Sequence, residues 1–128
     1  MQDTKNLVVA EYAHQLAVAT YRHTESFLNA ERFGITSQMR RAAVSIASNI
    51  AEGCGRRSNR ELVAYLYNAS GSTSELAAQI RIATELGFGD PSSADQLSSD
   101  VKRIARMLSR LVTFHRNQPA WRQREGRH

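Results

Sequence analysis

The stretch Thr36 to Ser58, TSQMRRAAVSIASNIAEGCGRRS, constrains the fold more than any other part of the chain. No Pro or Gly interrupts Gln38 to Glu52, and Gly53 and Gly55 follow directly, so one helix is predicted with a marked stop. Thr36 and Ser37 stand where an N-cap hydroxyl would accept from the first-turn N–H groups. At 100° per residue, Met39, Ala43, Ile46, Ile50 and Cys54 fall on one face. Arg41, Ser45, Asn49, Glu52 and Arg56 fall on another. A wet face usually carries Lys and Glu rather than Ser and Asn. This stripe is therefore either ordinary surface with a Glu52–Arg56 pair, or a polar interface to another helix, a second subunit or a ligand.

Three more helical runs flank it, at about 7–30, 59–86 and 91–117, with the central one at 37–54. The first places Tyr12, Leu16, Ala19, His23 and Phe27 on one stripe, after a polar start expected to fray. Ser58 with Glu61 forms a capping box opening the third. Its core stripe is Leu62, Leu66, Ala69, Thr73, Leu76, Ile80 and Ala83. Its middle, Ala69 to Ser74, is small and hydroxyl-rich, which suits close approach of another backbone. Gly87 to Pro91 turns the chain, with Asp90 as cap and Pro91 at the first helical position. The fourth points Leu97, Val101, Ile104, Leu108 and Leu111 inward, with Phe114 a further candidate, and Lys102, Arg103, Arg106 and Arg110 outward. Short turns between such runs favour an all-α, antiparallel up-down-up-down four-helix bundle over 1–117. Residues 118–128 read as a basic flexible tail, either a solubilising end or a nucleic-acid arm with Trp121 stacking on a base.

Gly34-Ile35-Thr36-Ser37-Gln38, Arg40-Arg41-Ala42, Ser45-Ile46, Asn49-Ile50-Ala51-Glu52-Gly53, Gly55-Arg56, Glu75-Leu76, Gln79 and Glu85-Leu86-Gly87 resemble the signature of the 23S rRNA intervening-sequence proteins. The resemblance implies a four-helix bundle that assembles into a ring, commonly a pentamer. The family is also similar to accessory proteins of diversity-generating retroelements, which bind nucleic acid and a reverse transcriptase. Leu28 and Ala47 stand where family members often have Pro, and Ser70 where they more often have Arg. Any phosphate or interface role of that Arg does not carry over.

Charge is unevenly spread. Residues 31–60 are net +4, 61–99 net −4 and 100–128 net +6, within a total of +5. Fifteen of the seventeen cations are Arg, which grips phosphate as a planar fork. The opposed segments either neutralise one another, across the bundle or between subunits, or form a nucleic-acid surface. Arg40, Arg41, Arg56, Arg57 and Arg60 are expected to cluster around the central helix and its loop, and Arg103, Arg106 and Arg110 to form a stripe. These eight are the candidate DNA- or RNA-binding residues. Ser45, Asn49, Glu52, Ser70 and Ser74 are the candidate subunit interface. A nucleic-acid-processing protein is a further candidate partner.

No cofactor or metal is expected. Glu11-x-x-His14 is half of a di-iron pattern, but Glu52, Glu61, Glu75 and Glu85 have no His three residues on. Ser45 and Ser48 lack a nearby His in the sequence, and no phosphate loop follows a strand. Cys54, alone on an apolar face, reads as an inert thiol. The chain is expected to be non-enzymatic and cytoplasmic, with no signal peptide or membrane span.

Overall fold

A computed structural model describes residues 4–119 and Trp121. Four helices pack as an antiparallel bundle: α1 (Thr4–Thr24), α2 (Ile35–Cys54), α3 (Asn59–Glu85) and α4 (Pro91–Arg116). Each helix lies against its neighbours in chain order, and α1 closes the bundle against α4. No strand occurs among the described residues. The α2–α3 loop thus shares one end, the termini end, with the start of α1 and the end of α4. The α1–α2 and α3–α4 connections share the far end.

Leu16, Met39, Ile46, Ile50, Leu66, Leu76, Leu97, Ile104 and Leu108 fill the middle and are almost fully buried. The whole α3 stripe predicted from spacing is inside. On α1 the inward face is rotated from the expected one. Val9, Ala13, Leu16, Thr20 and His23 are buried, whereas Tyr12 is exposed and Ala19 half-buried. Small Ala13 lets the neighbours approach. Tyr12 instead lies on the surface under the Arg103 guanidinium, 5.4 Å from its ring centre. The start expected to fray is corrected from residue 4 on, 1–3 lying outside the described residues: α1 begins at Thr4, and buried Asn6 meets His115 Nε2 at 3.1 Å through its Oδ1.

α1 stops at Thr24, about a turn and a half before the expected end. Thr20 Oγ1 donates to the Leu16 carbonyl at 2.8 Å, and Thr24 Oγ1 to the Thr20 carbonyl at 2.9 Å. Such bonds draw backbone acceptors away from regular helix continuation. Arg40 then donates from Nε to Thr24 Oγ1 at 2.9 Å and from Nη2 to the Tyr21 carbonyl at 3.3 Å. Cationic donors at helix C-termini satisfy free carbonyls. A 3₁₀ turn at Asn29–Glu31 leads into α2.

α2 begins one residue before Thr36, with Gly34 as N-cap and no side-chain cap. Thr36 turns into the protein, so the expected hydroxyl cap is not formed. At the other end Gly53 lies inside the helix. A Cβ there would sit 3.0 Å from Leu62 Cδ1 and Tyr65 Cβ, so glycine permits close packing of α2 on α3. Ser58 caps α3 by accepting from the Glu61 N–H at 3.2 Å, and Asp90 caps α4 by accepting from Ser93 N–H at 2.9 Å. A Cβ on Gly71 would meet nothing within 4 Å. That residue faces open space, while Ala69 and Thr73 of the same segment are buried and Ser72 meets Ser45 of α2 at 2.9 Å, so the helix contact is made on their side and not at Gly71.

Candidate nucleic-acid interface

The eight candidate arginines do not form one cluster. Arg40 and Arg41 stand near the start of α2, at the far end. Arg56, Arg57 and Arg60 stand beyond its other end. From Arg40 the helix runs fourteen residues further, to Cys54, a rise of about 21 Å, before the chain reaches Arg56. Arg40 is half-buried and bonded to the end of α1, and its guanidinium lies over Tyr21 at 4.6 Å. It works as a clasp between α1 and α2. The expected grouping of Arg40 and Arg41 with the loop arginines is corrected by this length of helix. Arg41, Arg103, Arg106 and Arg110 are exposed.

The termini end gathers the remainder. Arg56 Nη2 contacts Glu52 Oε2 at 2.9 Å and the Tyr65 hydroxyl at 2.7 Å. Arg57 is exposed and makes no hydrogen bond or ion pair among the described residues. The Arg60 guanidinium stacks on Trp121 at 4.3 Å, and Arg116 approaches the same ring at 5.8 Å. Arg116 Nη1 also donates to the Tyr67 hydroxyl at 3.1 Å. Trp121 packs against the core rather than projecting as a free stacking platform. The rest of the expected arm, Ala120 and 122–128, lies outside the described residues.

Between the end of α2, the start of α3 and the end of α4 lies a cavity of about 690 Å³. Arg56, Arg57, Asn59, Leu62, Phe114 and Gln118 are among its lining residues. Beneath it, buried His115 pairs with Asn6, and Asn59 Nδ2 donates to the His115 carbonyl at 3.4 Å. Cys54, half-buried, also lines it, and burial pushes its thiol above the ordinary value, which lowers its thiolate fraction near neutrality. No local pattern announces this site: it needs Asn6, Asn59 and His115 brought together from three helices.

The polar stripe of α2 is largely used within the chain. Ser45 and Ser72 hydroxyls bond at 2.9 Å across α2 and α3. Asn49 Nδ2 donates to the Ser45 carbonyl at 2.9 Å, and Glu52 pairs with Arg56. Ser70 is half-buried, with its carbonyl accepting from Thr73 Oγ1 at 2.7 Å, and Ser74 is exposed. Beside this contact runs a groove holding Arg41, Glu75 and Gln79. Gln79 is 8% exposed, and its Oε1 has no hydrogen-bond partner among the described residues.

At the far end His23 is buried, with Nδ1 2.8 Å from Ser93 Oγ. Its ring meets Phe27 edge-on at 5.4 Å. Burial pushes the imidazole below its ordinary value, and the Asp90 carboxylate partly opposes that. Glu11 accepts from Gln15 Nε2 at 3.0 Å. No group of three or more His, Cys, Asp or Glu side chains converges as a metal site among the described residues. No helix there is long and apolar enough to cross a membrane.

These features define a class: an all-helical four-helix bundle. The chain belongs to the 23S rRNA-intervening sequence protein family, which matches residues 5–110. Its fold is similar to the 1.70 Å crystal structure of a protein of unknown function from the S23 ribosomal protein family of Bacteroides thetaiotaomicron. That similarity has a TM-score of 0.78 at 19% identity, covering 85% of this chain and 98% of the other. Among curated proteins, none matches.

Proposed function

We propose that the chain is a non-enzymatic, homo-oligomeric accessory protein that binds nucleic acid through arginines at the termini end of its bundle. The observation that carries this reading is the gathering there of Arg56, Arg57, Arg60 and Arg116, with Arg57 open to solvent. Such a surface holds phosphates with little dependence on sequence, since phosphate contacts carry no sequence information. Assembly into a ring, a pentamer by the family resemblance, would repeat the patch about an axis and multiply weak contacts. A nucleic-acid-processing protein is then a natural partner.

The test is a gel shift with single- and double-stranded DNA and RNA at low salt. Wild type is compared with Arg56→Ala/Arg57→Ala/Arg60→Ala, after light scattering shows equal oligomeric size. Binding that weakens steeply with salt and drops in the variant supports the reading. Unchanged affinity, or no binding by wild type, overturns it.

A second reading, a protein–protein adaptor or structural ring without nucleic-acid binding, is favoured by the α2–α3 groove. There the buried Gln79 acceptor lacks a donor among the described residues, and Arg41 and Glu75 offer opposite charges to a partner. A buried polar group left unpaired costs about 1–3 kcal/mol, which a subunit donor would recover. A monomer near 14.3 kDa in solution would end both assembly readings.

A further inference from the structure

We propose that the cavity at the termini end takes one unpaired nucleotide of a single-stranded nucleic acid, phosphate on Arg57 and Arg56, base inside. This rests on the nucleic-acid reading above and adds a defined site to it. The volume, about 690 Å³, falls within the roughly 300–1,000 Å³ of ordinary small-molecule sites.

The lining divides as a nucleotide divides. Leu62 and Phe114 give apolar surface, Asn59 and Gln118 give amides, and Arg56 and Arg57 give cations. A bare phosphate would use only the cations. Asn59 donates to the His115 carbonyl at 3.4 Å and Gln118 Nε2 to the Phe114 carbonyl at 3.1 Å. Each amide offers two donors and a two-lone-pair acceptor, so most of its capacity is left for a base edge. The two cations differ usefully. Arg56 is held in place by Glu52 and Tyr65 at 2.9 and 2.7 Å, a preformed contact. Arg57 has its whole fork available to a phosphate. The floor ties two helices together, because buried His115 of α4 meets Asn6 of α1 at 3.1 Å. A recess of this kind admits a base only when it is unstacked and unpaired, which single strands supply and a blunt duplex does not.

Two native reporters read the site. The only cysteine, Cys54, lines the cavity. The only tryptophan, Trp121, stacks on Arg60 near its edge. The probes are a short 5′-phosphorylated oligothymidylate and a blunt DNA duplex of equal length, each checked for binding by gel shift. Maleimide labelling of Cys54 should slow about tenfold when the single strand is present at ten times its Kd. The duplex should leave the rate unchanged. Arg57→Ala should weaken single-strand affinity about tenfold while free Cys54 labels at the wild-type rate. If the single strand shifts the protein but leaves Cys54 labelling unprotected, or duplex protects equally, the nucleotide pocket is wrong and the broader binding reading stands. If neither probe binds, both fall.

Discussion

At the far end of the bundle, Arg40 gives its guanidinium to Thr24 Oγ1 at 2.9 Å and the Tyr21 carbonyl at 3.3 Å. At the termini end, Arg57 reaches solvent with no such bond among the described residues. The surroundings differ in the same sense. At the far end His23, Phe27, Phe88 and Gly89 close on one another, with Phe27 and Phe88 rings 5.6 Å apart. At the termini end α2, α3 and α4 leave a cavity. Arginine count alone therefore says little about a binding surface. What matters is whether a guanidinium still has donors open to solvent.

The sharpest break of this contrast is at glycines. Gly89 has φ of +80°, and a Cβ there would lie 2.8 Å from His23 Cε1 and 2.9 Å from Phe27 Cε1. Gly89→Ala should cost about 2–4 kcal/mol, from left-handed strain plus overpacking. Gly55 has φ of −86°, and a Cβ there would come no nearer than 3.6 Å, to the Glu52 carbonyl oxygen. Gly55→Ala should change stability by under about 0.5 kcal/mol. Urea titration of both variants decides it, and equal losses would erase the distinction between the ends.

Arg40→Ala should cost about 1–2 kcal/mol, because two charge-assisted bonds at a helix end are lost. Arg57→Ala should stay within about 0.5 kcal/mol. Thermal melts followed by circular dichroism measure both.

A smaller effect comes from pH. The buried His23 holds its proton less tightly than in the unfolded chain, where it titrates near 6.5. Below that value the unfolded state binds more protons than the folded one. Its stabilising contribution is thus full above about pH 6.5 and is lost as pH falls through the lowered folded value. Urea midpoints measured from pH 7.5 downward should fall for wild type and fall less for His23→Gln. Parallel curves would remove His23 from the account.

Much of this was legible in the residues. The α3 stripe, both the Ser58 and Asp90 caps and the inward face of α4 follow from spacing and hydrogen-bonding chemistry. The end of α1 was not, because Arg40 from the next helix bonds Thr24 Oγ1 and the Tyr21 carbonyl there, a contact with no local signal. Nor was the face of Tyr12: spacing ranks an aromatic as core, while an amphipathic ring under Arg103 is content at the surface. The basic cluster was only half legible. Sequence proximity groups Arg40 with Arg56, but a helix between them places one at each end. The pairing of Trp121 with Arg60 is a tertiary contact between residues far apart in the chain, with no local signal.

The central claim is that the termini-end arginines, not those at the far end, engage phosphate. Its most direct test is the salt dependence of Kd for a single-stranded oligonucleotide, measured for wild type, Arg57→Ala and Arg40→Ala at equal oligomeric size. Log affinity should fall linearly with log salt, and Arg57→Ala should reduce that slope by about one unit per subunit engaged. Arg40→Ala should keep the wild-type slope. A slope unchanged in Arg57→Ala, or reduced only in Arg40→Ala, would contradict the account.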